Sequence, residues 1–524
     1  MSKTLWYLVV EGLVASECLS LSLKKKKEKK EKETVKSVTP AFQPLASANP
    51  KPLTSLMAES STQSNLKPQT LSPGKDAVVD RISSLPESLL CHILSFLPTK
   101  ESIATSILST RWKLLWTLVP KLFLDIGKIS AAELSLDDVD VEVARDIMFA
   151  HVVSSVLAKQ ECGELQTFRL RWRFWWDGSH LEAWLRTAAA RKVKELDLDI
   201  FMHKIDVENL KLPPSFFSCR TLVVLKLSGE IDIDIDIDTP SLSFNFPSLK
   251  ILHLLEISLL SIIKSQEHSF LRLLSGCPVL EDLSFTTTDF FEGEYKLCVP
   301  TLKRLSFGET DFNYSEYELE INAPALEYFE FYGDLRAIKF YEKLDNVVQS
   351  DVNISISKSV PDGFRRKWVF NLFAALNNVK FLSFSPRGTE WHNLGNIYPS
   401  SFQNLVELKF KVNGCSWNVL QDLLQKAPNL ETLVITNGYN SVESNLYWKE
   451  PQYDPANLSS LTSFYYRGFK GLKDEVELVK YVLKEARVLK TATFQVSSGK
   501  SKESVLEKLS MFPRCSTTCL LRVE

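Results

Sequence analysis

The residue types able to do covalent or metal chemistry are sparse and scattered in this chain. Seven histidines stand at 92, 151, 180, 203, 253, 268 and 392. None falls in an H-E-x-x-H or comparable ligand spacing. Nine cysteines, at 18, 91, 162, 219, 277, 298, 415, 515 and 519, include no C-x-x-C pair. That pattern argues against a disulfide scaffold and against a tetrahedral zinc site, and favours small buried thiols in a reducing compartment. Cys515 and Cys519 have no histidine near them in sequence, so a thiol nucleophile would lack its base. No G-x-S-x-G elbow, P-loop or G-x-G-x-x-G string occurs. The expectation is a chain without catalysis of its own, without a cofactor and without a metal.

Two charged strings invite other chemistry. Ile231 to Asp238 alternates isoleucine with aspartate and puts four carboxylates on one strand face. It reads either as a cation or basic-segment site, or as a solvated strand or loop inserted in a repeat. Arg169, Arg171 and Arg173 alternate with Leu170, Trp172 and Phe174 ahead of Trp175-Trp176. That mixture suits RNA, or else the first strand of a repeat array packed beneath the helical segment that precedes it. The whole chain is nearly neutral, with 62 Lys plus Arg against 64 Asp plus Glu. So balanced a total gives no global footprint for nucleic acid or an anionic membrane, and neither is expected as a partner.

The elements that would carry such residues fall into four zones along 524 residues that are 44% hydrophobic and 24% charged. Residues 1–75 hold a lysine-rich run, Lys24 to Glu33, followed by a Pro/Ser/Thr/Gln-rich stretch, and are expected to be a disordered tail. The lysine run reads as a solvated tail or as a nuclear-import patch. The apolar string Leu5 to Val10 ends at Glu11, too short for a spanning helix or a signal peptide. Met57 offers an alternative start. The zone pattern points to an intracellular protein of the nucleus, the cytoplasm or both.

Residues 80–125 read as three short helices. Pro86 suits a first helical turn. Leu89, Leu90, Ile93, Leu94 and Leu97 recur at helical spacing up to Pro98, and Ser102 to Leu108 makes a second segment. Leu108, Trp112, Leu115 and Trp116 give the third a wide apolar face. So small a unit cannot hide all of these, so some must meet the next domain or a partner.

Residues 160–440 repeat the template apolar-x-x-apolar-x-apolar. Copies are Leu165/Phe168/Leu170, Val193/Leu196/Leu198, Leu222/Leu225/Leu227, Leu249/Leu252/Leu254 and Leu280/Leu283/Phe285. Further copies are Leu302/Leu305/Phe307, Leu326/Phe329/Phe331, Val379/Leu382/Phe384, Leu405/Leu408/Phe410 and Leu430/Leu433/Ile435. A degenerate copy near Val352 and Ile354 fills the gap, and final positions then lie 22 to 31 residues apart. That is the period of leucine-rich repeats. Each L-x-L end is a short strand facing a solenoid core, with helical segments before several of them: Phe270 to Ser275 with Gly276 as C-cap, Trp368 to Leu376, and Val419 to Lys426. The fold expected is an α/β horseshoe on a parallel sheet, without a regular asparagine ladder. Residues 441–524 break the rhythm: strand Leu458 to Gly468, helix Lys473 to Glu485, strand Leu489 to Val496, helix Lys502 to Leu509 and strand Leu520 to Val523. They are expected to form a small α/β cap.

Asp80 to Leu90, Ile93 to Lys100, Thr105-Ser106, Leu108 to Trp112 and Leu115-Trp116 together resemble the plant F-box. Arg467-Gly468-Phe469, Glu475 to Tyr481 and Phe512-Pro513-Arg514 resemble the FBD domain, although Ala456-Asn457 stands where relatives often carry a cysteine. With the repeats between, the chain resembles the F-box/LRR/FBD family over roughly residues 80–524. The resemblance implies a substrate-recognition subunit of a Skp–cullin–F-box ubiquitin ligase. The F-box would dock the Skp-type adaptor, and through it a cullin, while the repeats recruit a protein target. Position by position it implies adaptor contacts at Leu85, Pro86, Leu89, Ile93, Leu97, Trp112, Leu115 and Trp116, the alternative for each being that it fills the small helical core. That alternative is favoured for Leu94 and Ile107, and the contact for Leu85, Pro86 and Trp116. A repeat scaffold that binds protein without ligase assembly is the alternative.

Overall fold

The computed structural model describes residues 81, 82, 84–125, 139–174, 179–202, 210–229, 231, 232, 244–257, 269–287, 293–309, 317–334, 337–341, 344–356, 361–388, 391, 401–412, 417–437, 448, 458–497 and 501–524. The lysine run, Met57, Trp175-Trp176, Ile233 to Asp238 and Cys415 lie outside them. The described residues fall into two units, one ending at Val119 and the other running from Pro120 to Glu524.

The repeat copies of the second unit all become strands of one sheet. Fifteen strands, from Lys121–Asp125 to Leu520–Val523, lie side by side in chain order, and every neighbouring pair is parallel, as in Leu225↔Leu252 and Leu408↔Leu433. In-register pairing stacks like on like. The second apolar position of each copy makes one buried row and the third makes another, as with Leu283, Leu305 and Phe329 beside Phe285, Phe307 and Phe331. Phe285 stacks on Phe307 at 5.4 Å, and Phe307 meets Phe331 at 4.9 Å. Burying each such side chain stabilises the fold by about 1.5–3 kcal/mol.

The turns follow a rule of their own. In most copies the first apolar residue donates its amide to a second buried residue three positions earlier: Leu249 to Phe246, Leu280 to Cys277, Leu302 to Val299, Leu326 to Ala323 and Leu405 to Phe402. The template is therefore longer than the sequence reading had it. One carbonyl at the start of each strand then accepts two amides from the next copy, as Lys250 does from Glu281 and Asp282, and Glu281 does from Lys303 and Arg304. This backbone ladder satisfies the amides at the strand starts.

Four expectations need correction. The degenerate copy is Val347/Ser350/Val352, because Ser350 lies in the leucine row, buried, and donates to the Phe329 carbonyl at 2.9 Å. The array begins one strand earlier than Thr167–Phe174, at Lys121–Asp125. Gly276 caps helix Ser269–Ser275 as expected, donating its amide to the Arg272 and Leu273 carbonyls, but not through a left-handed backbone: a Cβ there would come within 2.5 Å of the Phe244 carbonyl oxygen, so close backbone approach requires the glycine. Finally, residues 441–524 do not break the rhythm in space. Ser463–Phe469, Thr491–Val496 and Leu520–Val523 add to the same sheet, with Phe464, Ala492 and Leu521 continuing the leucine row. The zone ends the solenoid by extending it.

Helices Ser179–Ala190, Ser269–Ser275, Asp362–Ala375, Trp417–Lys426, Lys473–Glu485 and Lys502–Ser510 intervene between strands. Between the copies ending at Phe285 and Val352 a second parallel sheet stands in their place, made of Gly293–Cys298, Tyr317–Asn322 and Ala337–Phe340. Ile231–Asp232, the described part of the acidic string, pairs with Leu210–Lys211, and Ile231 is buried. The first two residues of the string thus lie in an inserted strand, and the remaining six lie outside the described residues.

Candidate functional site

Two prolines frame the first unit. Pro86 precedes helix α1, Glu87–Leu94, and Pro98 precedes helix α2, Thr99–Ala104, each with its φ already near the helical value. The expected third helix is absent. From Leu108 to Val119 the backbone closes a series of three-residue turns, Leu108 to Thr105, Trp112 to Ser109, Leu115 to Trp112 and Val119 to Trp116, ending in a 3₁₀ turn, Leu115–Leu118. The Thr117 hydroxyl donates to the Leu114 carbonyl at 2.7 Å, a local bond that competes with a longer helix. Three-residue periodicity puts Trp112 and Leu115 on one side. Arg111 ties the turn to α1 by donating to the Leu85 carbonyl.

The core of this unit is Leu90, Leu94, Trp112, Leu115 and Val119, with Leu85, Cys91 and Leu97 packed on it half-buried. A second apolar stripe on α1 and the turn after it stays open. Leu89 is 48% exposed, Ile93 43% and Phe96 71%, at i, i+4 and i+7. The helix is thus apolar over two adjacent stripes, and its own core uses only one of them.

Of the eight residues named from the sequence, Pro86, Leu89 and Ile93 stand on the exposed surface, and Leu85 and Leu97 lie at its margin. Trp112, Leu115 and Trp116 are buried. Leu94 is core as expected, but Ile107 is exposed, because it closes the 3₁₀ turn Thr105–Ile107 instead of lying within a helix. Phe96, not among the eight, is exposed too and continues the Leu89/Ile93 spacing. Leu108 and Leu114 are also exposed.

The solvent face of the sheet in the second unit is the other candidate. Its first half is internally neutralised. Arg169 pairs with Asp197 at 2.6 Å, Arg171 with Asp199 at 3.7 Å and with Asp125 at 4.0 Å, while Arg169 also covers the Phe123 ring and Arg173 the Phe201 ring. The arginines, read from the sequence either as an RNA-binding mixture or as part of a repeat strand, are engaged with the neighbouring strands. Glu281 sits between Lys250 (2.8 Å) and Lys303 (3.0 Å), which hold its carboxyl down at about 2, chiefly through their hydrogen bonds. Asp282 receives His253 at 3.2 Å and Arg304 at 3.4 Å.

The last copies hold a buried polar hub. Glu475, 1% exposed, accepts from Asn437 Nδ2 at 2.7 Å and from the Lys470 and Leu472 amides, both at 2.9 Å. Two of these close the N-terminus of helix Lys473–Glu485. Burial first, and Glu475 second, hold the Tyr466 hydroxyl well above its ordinary range. Gly468 has φ +74° at a strand irregularity between Arg467 and Phe469, and a Cβ there would meet the Asn437 carbonyl oxygen at 2.5 Å. The Arg467-Gly468-Phe469 and Glu475 strings thus serve folding. Among the described residues no group of three His, Cys, Asp or Glu side chains is placed to hold a metal, and no helix is long and apolar enough to cross a membrane.

A small helical unit with a spare apolar stripe, joined to a leucine-rich parallel solenoid, defines the F-box class with leucine-rich repeats. Family models bear this out: the F-box domain matches residues 82–124, the LRR repeats of FBD-associated F-box protein At5g56370 match residues 181–345, and FBD matches residues 456–494. Putative FBD-associated F-box protein At3g50710 of Arabidopsis thaliana is 31% identical over 85% of this chain and 100% of its own length. F-box/FBD/LRR-repeat protein At4g00160 of the same plant is 32% identical over 82% and 89%, and FBD-associated F-box protein At5g56370 is 30% identical over 84% and 99%. The chain belongs to the plant family of FBD-associated F-box proteins with leucine-rich repeats.

Proposed function

We propose that this chain is a substrate-recognition subunit of a Skp–cullin–F-box ubiquitin ligase and that it works without catalysis of its own. The observation that carries the reading is the second stripe of α1. Leu89, Ile93 and Phe96 are exposed in a unit whose core is already complete without them. An apolar helical stripe of this kind is what a hydrophobic groove on an adaptor receives, and F-box domains as a class bind Skp-type adaptors. The solenoid would recruit the protein target, and ubiquitin transfer would be promoted by holding target and loaded enzyme together at high effective concentration.

Titration calorimetry of the full chain with a Skp-type adaptor tests this. Leu89→Ala with Ile93→Ala is expected to weaken binding by about 2 kcal/mol or more, as truncation of central anchors does, with the melting temperature nearly unchanged. Undiminished affinity in the folded variant would remove the reading and leave the repeat scaffold that binds protein without a ligase.

A further inference from the structure

The solvent face of the sheet changes character at its centre. Toward the first strand its cations and carboxylates neutralise one another across neighbouring strands. Strands Tyr328–Asp334 and Gln349–Ser355 instead bring Glu330 and Asp351 directly opposite each other in register. Neither carboxylate makes an ion pair among the described residues. Of two nearby cations, Arg304 is committed to Asp282 and the Tyr328 ring, and Lys409 bonds Glu407 at 2.7 Å and reaches Asp351 only through its charge. Asp351 is held above the usual carboxylate range, by burial first, with the charge of Glu330 adding to it. Two like charges side by side on a strand pair destabilise it unless a counter-charge arrives.

Donors on this face are few: the Ser383 hydroxyl hydrogen-bonds Asp351 and leaves that carboxylate's other acceptor sites open. One step beyond Asp351, the buried Asn353 Oδ1 has no hydrogen-bond partner. Tyr328 donates its hydroxyl to Glu330 at 3.1 Å, leaving that carboxylate's other acceptor sites open. Aromatic surface flanks the group. The Tyr332 ring lies across Gly308, where a Cβ would come within 2.4 Å of it, and Phe381 is exposed beside Gln349.

We propose that this central patch, Tyr332, Glu330, Asp351, Asn353 and Phe381, receives an arginine side chain of the recruited protein. A guanidinium suits it better than an ammonium. It is planar, carries five donors for acceptors spread over two strands, and stacks on aromatic rings. The sheet already makes this arrangement with its own residues: Arg169 bonds Asp197 and covers Phe123, and Arg304 bonds Asp282 and covers Tyr328. At the centre the carboxylates and rings are present without the arginine. The partner is therefore a protein segment bearing an exposed arginine, attracted by charge and fixed by stacking.

The proposal rests on the substrate-recruitment reading, so its test measures adaptor binding in the same samples. The full chain bound to a Skp-type adaptor is probed by fluorescence anisotropy with four pools of labelled random octapeptides, whose central residue is fixed as Arg, Lys, Gln or Glu. The expected result is at least tenfold tighter binding of the Arg pool than of any other. That preference should be lost in the Glu330→Gln, Asp351→Asn double variant, with circular dichroism and adaptor binding unchanged. Each single variant is run beside it to guard against misfolding. Equal binding of the Arg and Gln pools, equal binding of the Lys pool, or a preference that survives in the double variant overturns the proposal. If adaptor binding fails while the arginine preference holds, the ligase reading falls and this patch stands. If the adaptor binds and the preference is missing, the reverse holds.

Discussion

The helical unit and the solenoid handle apolar surface in opposite ways. In the solenoid nearly every apolar template residue is used: Leu196, Leu252, Leu305 and Phe331 are all fully buried, each between the equivalent residues of the copies before and after it. In the helical unit one stripe of α1 is consumed by the core and its neighbour is left in water. A leucine is thus structural in one region and left exposed in the other, although composition does not separate them. What separates them is whether an adjacent copy exists to cover the residue.

Substitutions should reproduce that contrast. The largest effect is expected in the phenylalanine row. Phe307→Ala opens a cavity among Phe285, Phe329 and Phe331 and should cost about 3–5 kcal/mol in chemical denaturation. Next comes Glu475→Ala, which strands the Lys470 and Leu472 amides and the Asn437 amide without their acceptor. A loss of about 2–3 kcal/mol follows from leaving buried donors unpaired. Far below both, Leu89→Ala with Ile93→Ala should change stability by only about 0.5 kcal/mol per site or less, since both side chains are exposed. A destabilisation as large as that of Phe307→Ala would show that the outer stripe is part of a core.

The sheet's second contrast, paired against unpaired charge, gives a smaller and pH-dependent effect. Asp351 is held above the ordinary carboxylate range by burial and by Glu330. An acid whose folded value is raised favours the native state while protonated, and that advantage is lost as pH rises past the unfolded value toward the folded one. Asp351→Asn should therefore be no more stable than the parent at the acid end and more stable at neutral pH. Melting scans across that range decide it. A variant less stable at neutral pH would mean that a cation does neutralise Asp351.

How much could be read in advance follows from the same physics. The repeat rows were legible because a parallel sheet pairs like with like, so a buried row must recur as a sequence pattern. The rows were misread where the pattern is carried by an uncommon residue. Ser350 holds a leucine position by donating to a backbone carbonyl, Ala492 holds the equivalent position in a C-terminal copy, and Tyr466 stands in the phenylalanine row. Leu461/Phe464/Tyr466 and Leu489/Ala492/Phe494 fit the template, so extending it past residue 440 would have found them. Helix Lys473–Glu485 and strand Leu520–Val523 were placed with their observed ends. The third helix of the first unit was not, since apolar spacing of i, i+4, i+7 and i+8 ignores that residues 108–119 close their bonds at three residues. The Glu330–Asp351 juxtaposition could not have been read at all. It depends on register between strands more than twenty residues apart.

The smallest expected effect is at Glu281, and it sharpens the account of the neutralised half. Lys250 and Lys303 bond this carboxylate from neighbouring copies and lower it from 4.5 to about 2. The group is at the surface, so salt and solvent screen most of the attraction. For an acid with a lowered folded value, the stabilisation is complete above the unfolded value and fades as pH falls toward about 2. The difference in melting temperature between the parent and Glu281→Gln should thus be small but measurable at pH 6–7. It should shrink in high salt and vanish toward the acid end. A difference that grew on acidification, or that salt left unchanged, would mean that Glu281 contributes through packing, and the ladder of pairs along this half could not then be treated as screened surface electrostatics.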